Sequence, residues 1–286
     1  GPGTLSGNAI LFQYSAATTA ASGNIAKLLI ENLNMTAPLT IPSVLNQWST
    51  GDPANTLVKV ALNDSNSTFG NITIAANATF DATNSGAGNY NFSVSGNWDN
   101  DSSGVFTSGT GTVTFNGTAL QTITSGGDSF QNVTLSNNTF TLSTSTMTVG
   151  GNLLIGTGKN PSITSTNIAF TVTGTTNSAS GENNNLTLDI GSATATLTGA
   201  VGGTDNLGTI DITAGAFVAS NTITAAANKN ITLTTDAVSL ANTVTTSGTG
   251  NITIEPRTTS TTIAMNDATG DLSLTATELG YLASAG

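Results

Sequence analysis

The sequence predicts an all-β chain wound as a right-handed parallel β-solenoid with coils of about twenty residues. Three observations predict it: a short alternating unit that recurs at nearly constant spacing, a polar but almost uncharged composition, and glycines where coils would bend. The unit is a small polar residue followed by apolar, any, apolar. It begins at Asn71-Ile72-Thr73-Ile74, then recurs from Asn91, Thr112, Asn132, Asn152, Asn167, Asn185, Thr209, Asn230, Asn251 and Asp271. Most steps between starts are close to twenty; those into and out of Asn167 are shorter, and the one from Asn185 to Thr209 is longer. Such alternation marks a strand with one buried face. A lone coil cannot bury that face, so coils must stack.

Between these starts the sequence supplies second strands, such as Thr222-Ile223-Thr224 and Ala237-Val238-Ser239-Leu240. Gly126-Gly127, Gly150-Gly151 and Gly202-Gly203 are expected to give the positive φ of tight corners. Eleven starts imply eleven coils, with Phe92, Phe115 and Phe170 pointing inward. Asn in the first position implies a ladder of stacked amides joining coil to coil. Right-handedness follows from the general preference of parallel crossovers. An array of antiparallel β-sandwich domains is the alternative fold, since short alternating strands suit it too.

Residues 1–54 read as an N-terminal cap or atypical first layer, and 55–286 as the repeats. Four of six prolines fall in the first part (Pro2, Pro38, Pro42, Pro53), where the period weakens. There Ile25, Leu28, Leu29 and Leu33 share a helical face, with Lys27 and Glu31 paired, which predicts one short helix. The C-terminal end reads as uncapped, a state that favours polymerisation.

Charged residues make up 7% of the chain, against about 25% in ordinary domains. The 37% apolar content still demands a fold. The net charge is −11, and Lys27, Lys59, Lys159, Lys229 and Arg257 are scattered, which excludes a clustered site for nucleic acid. No apolar run is long enough for a membrane-spanning helix. There is no Cys, hence no disulfide. Gly1-Pro2-Gly3 lacks the basic and apolar regions of a signal peptide. A polar, uncharged surface without Cys suits a secreted or cell-surface protein.

With no His, the commonest general base is missing. Asp99 and Asp101 form the closest acidic pair, while Asp211 and Asp271 sit in outward positions three starts apart, too far for a paired acid and base. Asp99, Asn100 and Asp101, or Asn63 and Asp64, could offer oxygens to Ca²⁺, but no EF-hand or Gly-Gly-x-Gly-x-Asp spacing exists. Trp48 and Trp98 are candidates for stacking on sugars. Thirteen Asn-x-Ser/Thr sequons occur, including Asn34, Asn71, Asn132, Asn230 and Asn251, and several coincide with the repeat, which explains them without glycosylation. Thr112-Val113-Thr114, Thr122-Ile123-Thr124 and Thr222-Ile223-Thr224 fit an ice-binding array locally. Leu154, Ala169 and Asp211 are expected to interrupt it.

Two stretches resemble large repetitive bacterial surface proteins of the filamentous-haemagglutinin-like adhesin type. One runs through Gly96-Asn97-Trp98, residues 109–117, Gln121-Thr122-Ile123 and residues 130–135; the other is Gly270-Asp271-Leu272-Ser273-Leu274-Thr275 with Glu278-Leu279. The resemblance covers about a quarter of the chain and implies a secreted β-helical shaft used in adhesion or matrix. It carries over no functional residues. The expected function is therefore an extracellular structural shaft or fibre subunit, not an enzyme, with no catalytic, metal or cofactor residues. Its expected partners are further copies or a longer parent chain at the solenoid ends, and host or matrix glycans or proteins. A carbohydrate-binding or polysaccharide-degrading β-helix is the alternative.

Overall fold

Strands of this chain hydrogen-bond in parallel to the strand one coil away, because each coil repeats the same three alternating segments. In a computed structural model, the structure describes residues 3–4, 25–30, 33–34, 38–41, 57–65, 67–84, 86, 88–266 and 270–285. It is a right-handed parallel β-helix of about nine coils with almost no helix.

Each coil has three faces. The first carries Ser67–Phe69, Phe92–Val94, Thr112–Phe115, Asn132–Leu135, Leu153–Ile155 and Thr176–Ser178. It continues through Val201 to Ile223–Thr224, Val244–Ser247 and Leu282–Ala285. The second runs from Leu39–Ile41 and Ile72–Ile74 through Trp98–Asn100, Gln121–Thr124, Thr139–Leu142, Ser162–Ser165 and Leu186–Asp189. The third includes Ile25–Ile30, Leu57–Leu62, Thr79–Asp81, Val105–Thr107, Ser129–Phe130, Met147–Val149, Phe170–Val172 and Thr194–Leu197. In Ile210–Ala219 and Ile231–Leu240 one long strand turns the corner and serves both second and third faces.

The recurring unit is real, but its starts do not form one ladder, and eleven starts do not make eleven coils. Asn91, Thr112, Asn132 and Asn152 introduce the first face; Asn71, Asn185, Thr209, Asn230 and Asn251 introduce the second. Asn167 occupies a turn at φ 62, ahead of the third-face strand Phe170–Val172, and Leu272–Leu274 pairs only with Ile263–Met265. The two short steps on either side of Asn167 mark that change of face. True coil lengths vary more. The coil from Gln121 to its register partner Phe140 is short, and the one from Ile72 to Trp98 is long. Variable turns absorb the difference while register is kept.

The lumen is filled from all three faces. Ile231 lies beneath Ile252 in parallel register, and Phe92, Phe115 and Phe170 are buried. Phe80, Phe92, Trp98, Phe106 and Phe130 form a continuous aromatic stack, with Trp98 4.7 Å from Phe106 and 5.2 Å from Phe130, centroid to centroid. Offset and edge contacts of this kind suit the ring quadrupoles.

Glycine serves the corners in two ways. Gly126, Gly127 and Gly202 adopt positive φ as expected. Gly150, Gly151 and Gly203 do not; Gly151 is small because the coil below is close. A Cβ on Gly174 would lie 2.5 Å from the Gly151 carbonyl carbon, and one on Gly199 would lie 2.2 Å from the Gly174 oxygen.

The N-terminal flank departs from expectation in one element. Ile25–Ile30 is a strand, paired in parallel with Leu57–Leu62 from Ile25↔Leu57 to Ile30↔Leu62, so the short helix is not formed. A short apolar run reads equally as either element, and pairing decides it. Leu33–Asn34 and Leu39–Ile41 also join the faces, and residues 5–24 and 42–56 lie outside the described residues. Helix Ala276–Tyr281 opens on a Thr275–Glu278 capping box, and the Glu278 carboxylate accepts the N–H of Leu240, 3.0 Å away. That N–H lies at the edge of the last third-face strand. The second-face edge at Ile252–Glu255 has no strand partner beyond Ile231–Leu240 among the described residues.

Phe80→Ala is expected to cost about 3–5 kcal/mol in urea unfolding. Val105→Ala, on a residue 44% exposed, should stay within about 0.5 kcal/mol.

Candidate functional site

The outer surface is where a ligand would have to bind, and its most ordered feature is a set of amide ladders at the corners. Each ladder Asn uses its side-chain oxygen to accept a backbone N–H from the coil above. Asn71 takes Asn97 N–H at 2.7 Å, and Asn97 takes Thr122 N–H at 2.9 Å. A second column, Asn138, Asn160 and Asn185, does the same at 2.9, 2.8 and 2.7 Å, ending on Thr209. On the first face, Asn132 accepts Asn152 N–H at 3.0 Å while its own amide donates to the Thr110 carbonyl below at 2.9 Å. The expected amide-to-amide contact is thus an amide-to-backbone contact, because the corner N–H groups have no strand partner and need an acceptor.

A groove of about 410 Å³ lies on the first face among Asn132, Thr134, Asn152, Leu154, Thr175 and Asn177. Its amides are already engaged. Asn152 accepts both the N–H and hydroxyl of Thr175, and Asn177 donates to that hydroxyl and accepts Thr204 N–H. The 39% exposed Leu154 and the Thr112 and Thr134 side chains complete its lining.

The acidic candidates do not converge. Asp99 projects outward from Trp98–Asn100, and Asp101 lies in the following turn, where it accepts the N–H and hydroxyl of Ser103 at 3.0 and 2.9 Å. Those two bonds, the N–H first, hold the Asp101 carboxyl below its usual range, the reverse of what a general acid requires. Asp64 accepts the Ser67 hydroxyl, and Asn63 accepts the Asn84 amide. Asp211 stands between Thr187 and Thr232, whereas Asp271 accepts the N–H and hydroxyl of Thr262 in the C-terminal sheet. Among the described residues, no three His, Cys, Asp or Glu side chains gather as a metal cage.

Other charges are structural. Lys59 and Asp81 pair at 2.6 Å with both side chains largely covered. Burial pushes Asp236 up, but the Thr258 and Thr261 hydroxyls, the Thr258 N–H and the Arg257 guanidinium outweigh it and hold it low. Glu278 follows the same balance: burial raises it, while the N–H groups of Leu240 and Thr275 and the Thr275 hydroxyl bring it below its usual value.

Trp98 is fully buried, so its sugar-stacking role is overturned; Trp48 lies outside the described residues. Of the named sequons, Asn71, Asn132 and Asn230 spend their side-chain oxygens on the ladder. Asn34 lies in a strand and Asn251 is exposed.

Sequence reasoning misses the polar groups turned inward. Gln121 is buried, accepts Gly117 N–H and the Asn137 amide, and donates to the carbonyls of Val94 and Gly96. Asp128 accepts Phe106 N–H and the Asn100 amide. It bridges the interval where Val105–Thr107 and Ser129–Phe130 do not pair as strands. A signal is present, since Gln121 has the same parity as inward Ile123. No family model matches this chain, and neither does a curated protein or a solved structure.

Two outcomes follow for the bonds just described. Gln121→Ala should cost about 2–3 kcal/mol in urea unfolding and Asn132→Ala about 1 kcal/mol, since only the first strands buried partners. The Glu278 contribution is complete above its ordinary value of 4.5 and is lost as pH falls through the lower folded value. Acid titration should therefore loosen the helix Ala276–Tyr281 in the native chain, and Glu278→Gln should flatten that dependence, as followed by NMR of the Leu240 amide.

Proposed function

We propose that this chain is a structural shaft segment or subunit of an extracellular adhesin or fibre, and that it does no catalysis. The observation that carries this reading is coil-to-coil bonding on all three faces, bridged by side-chain acceptors where strand pairing lapses. Its polar capacity is spent on holding the rod together. The mechanism is mechanical: tension or shear is shared among rows of parallel peptide hydrogen bonds and a packed lumen.

Head-to-tail association is supported by one end. Ile252 and Ile254 have inward parity yet are only half-buried, and Asn251, whose N–H bonds back to Asn230, is exposed at the next rung of its ladder. Nearby Ile263 and Met265 are 58% and 66% exposed. An unpaired edge above a half-covered apolar rung is the geometry on which a further coil docks. The adhesin assignment rests on the resemblance of residues 96–135 and 270–279. Secretion is its corollary.

Negative-stain electron microscopy of the pure chain should show end-to-end filaments, and Ile254→Lys should shorten them to single rods. Monodisperse rods from the native chain would overturn the assembly.

A further inference from the structure

We propose that Asn116-Gly117 is a self-modification site, an asparagine poised to cyclise onto its own backbone, and that Gln121 is the latch that keeps it closed. This is the one Asn-Gly step in the chain. It lies at the corner between first-face strand Thr112–Phe115 and second-face strand Gln121–Thr124. The Asn116 side chain is exposed and makes no hydrogen bond among the described residues, unlike the ladder asparagines. Asn84 and Asn177, each followed by a small Ser, have their amides engaged. Packing imposes the glycine: a Cβ on Gly117 would lie 2.6 Å from the Ser95 carbonyl oxygen and 2.7 Å from Gln121 Cδ. The fold thus requires the very residue that leaves the attacking nitrogen unshielded.

The chemistry needs only water. The Gly117 nitrogen, its proton taken by hydroxide, attacks Asn116 Cγ. A C–N bond closes a succinimide ring, and the side-chain nitrogen takes up a proton and leaves as ammonia. Water then opens the ring at one carbonyl or the other. One product is Asp; the other is isoaspartate, in which the main chain runs through the former side chain.

In the closed corner that nitrogen is withheld. Gly117 is buried, and its N–H donates to Gln121 Oε1 at 2.9 Å. Gln121 is itself fixed from both sides. Its amide donates to the Val94 and Gly96 carbonyls of the coil below, and the Asn137 amide from the coil above donates to Oε1 at 3.2 Å. The Asn116 N–H is held by the Val94 carbonyl at 3.0 Å. A proton in a buried hydrogen bond meets hydroxide only when its segment opens locally. Ring closure and amide hydrogen exchange at Gly117 therefore need the same opening. Isoaspartate lengthens the main chain by one methylene and carries the Gly117 N–H away from Gln121. An opening that reacts in this way does not reclose, and because each coil touches only its neighbours the change stays at this corner.

This property belongs to the single chain and is separate from shaft assembly. The test incubates the full chain in mildly alkaline buffer beside a peptide of residues 112–121. Mass spectrometry and enzymatic isoaspartate methylation follow Asn116, and hydrogen exchange follows the Gly117 amide. Native Asn116 should deamidate more slowly than the peptide by roughly tenfold or more, and by the same factor as exchange is slowed. Gln121→Ala should bring Asn116 close to the peptide rate. Phe217→Ala, a cavity in a distant coil that costs the fold at least as much, should leave it slow. Native protein that reacts as fast as the peptide, a Gln121→Ala chain that stays slow, or equal acceleration in both variants overturns the proposal. Should Gln121→Ala not fold, the native chain in sub-denaturing urea decides. Deamidation of Asn116 and exchange of Gly117 should then rise together, and deamidation that rises without exchange removes the latch.

Discussion

Everything in this molecule depends on one constraint: the backbone groups of a coil's strands find partners only in the coils above and below. No face is closed within its own turn, so register between neighbours must hold on three faces at once. The strands satisfy this through parallel pairing. The corners, where pairing lapses, satisfy it through Asn oxygens and, at Asp128, through a carboxylate. An outer surface rich in Asn and Thr is thus a consequence of stacking, not a sign of a ligand.

The lumen answers the same constraint from inside. Its rungs need not be identical, because a Phe in one coil can lie over a Val or Leu in the next: Phe92 pairs with Val113, and Phe115 with Leu135. Where rings accumulate, as from Phe80 to Phe130, they alternate edge and face. Inward polar residues are admitted when they are bonded, and Gln121, with both ends of its amide used, is the clearest case.

Alternation makes the strands and the inward residues legible: Ile252 over Ile231, and Phe92, Phe115 and Phe170 in the core, follow from parity alone. What parity does not contain is the face to which a strand belongs, since all three faces carry the same pattern. A series of starts can therefore slide from second face to first at Asn91 without any change of spacing, and only the short steps around Asn167 betray a switch. Trp98 defeats the same reading because its partner at the next inward position is Asn100, which makes the strand look exposed. Ile25–Ile30 defeats it because so short a run has too few turns to distinguish the two periods. The candidate carboxylates are legible as scattered, and the fold keeps them so.

Coil length and coil register are decoupled here. The short step from Gln121 to Phe140 and the long one from Ile72 to Trp98 support equally regular ladders, because turns, not strands, take up the excess. Such a chassis tolerates cargo: a foreign peptide grafted into one of the longer bends would be carried at a fixed height and azimuth on the rod, and several could be set out at chosen intervals like teeth on a key.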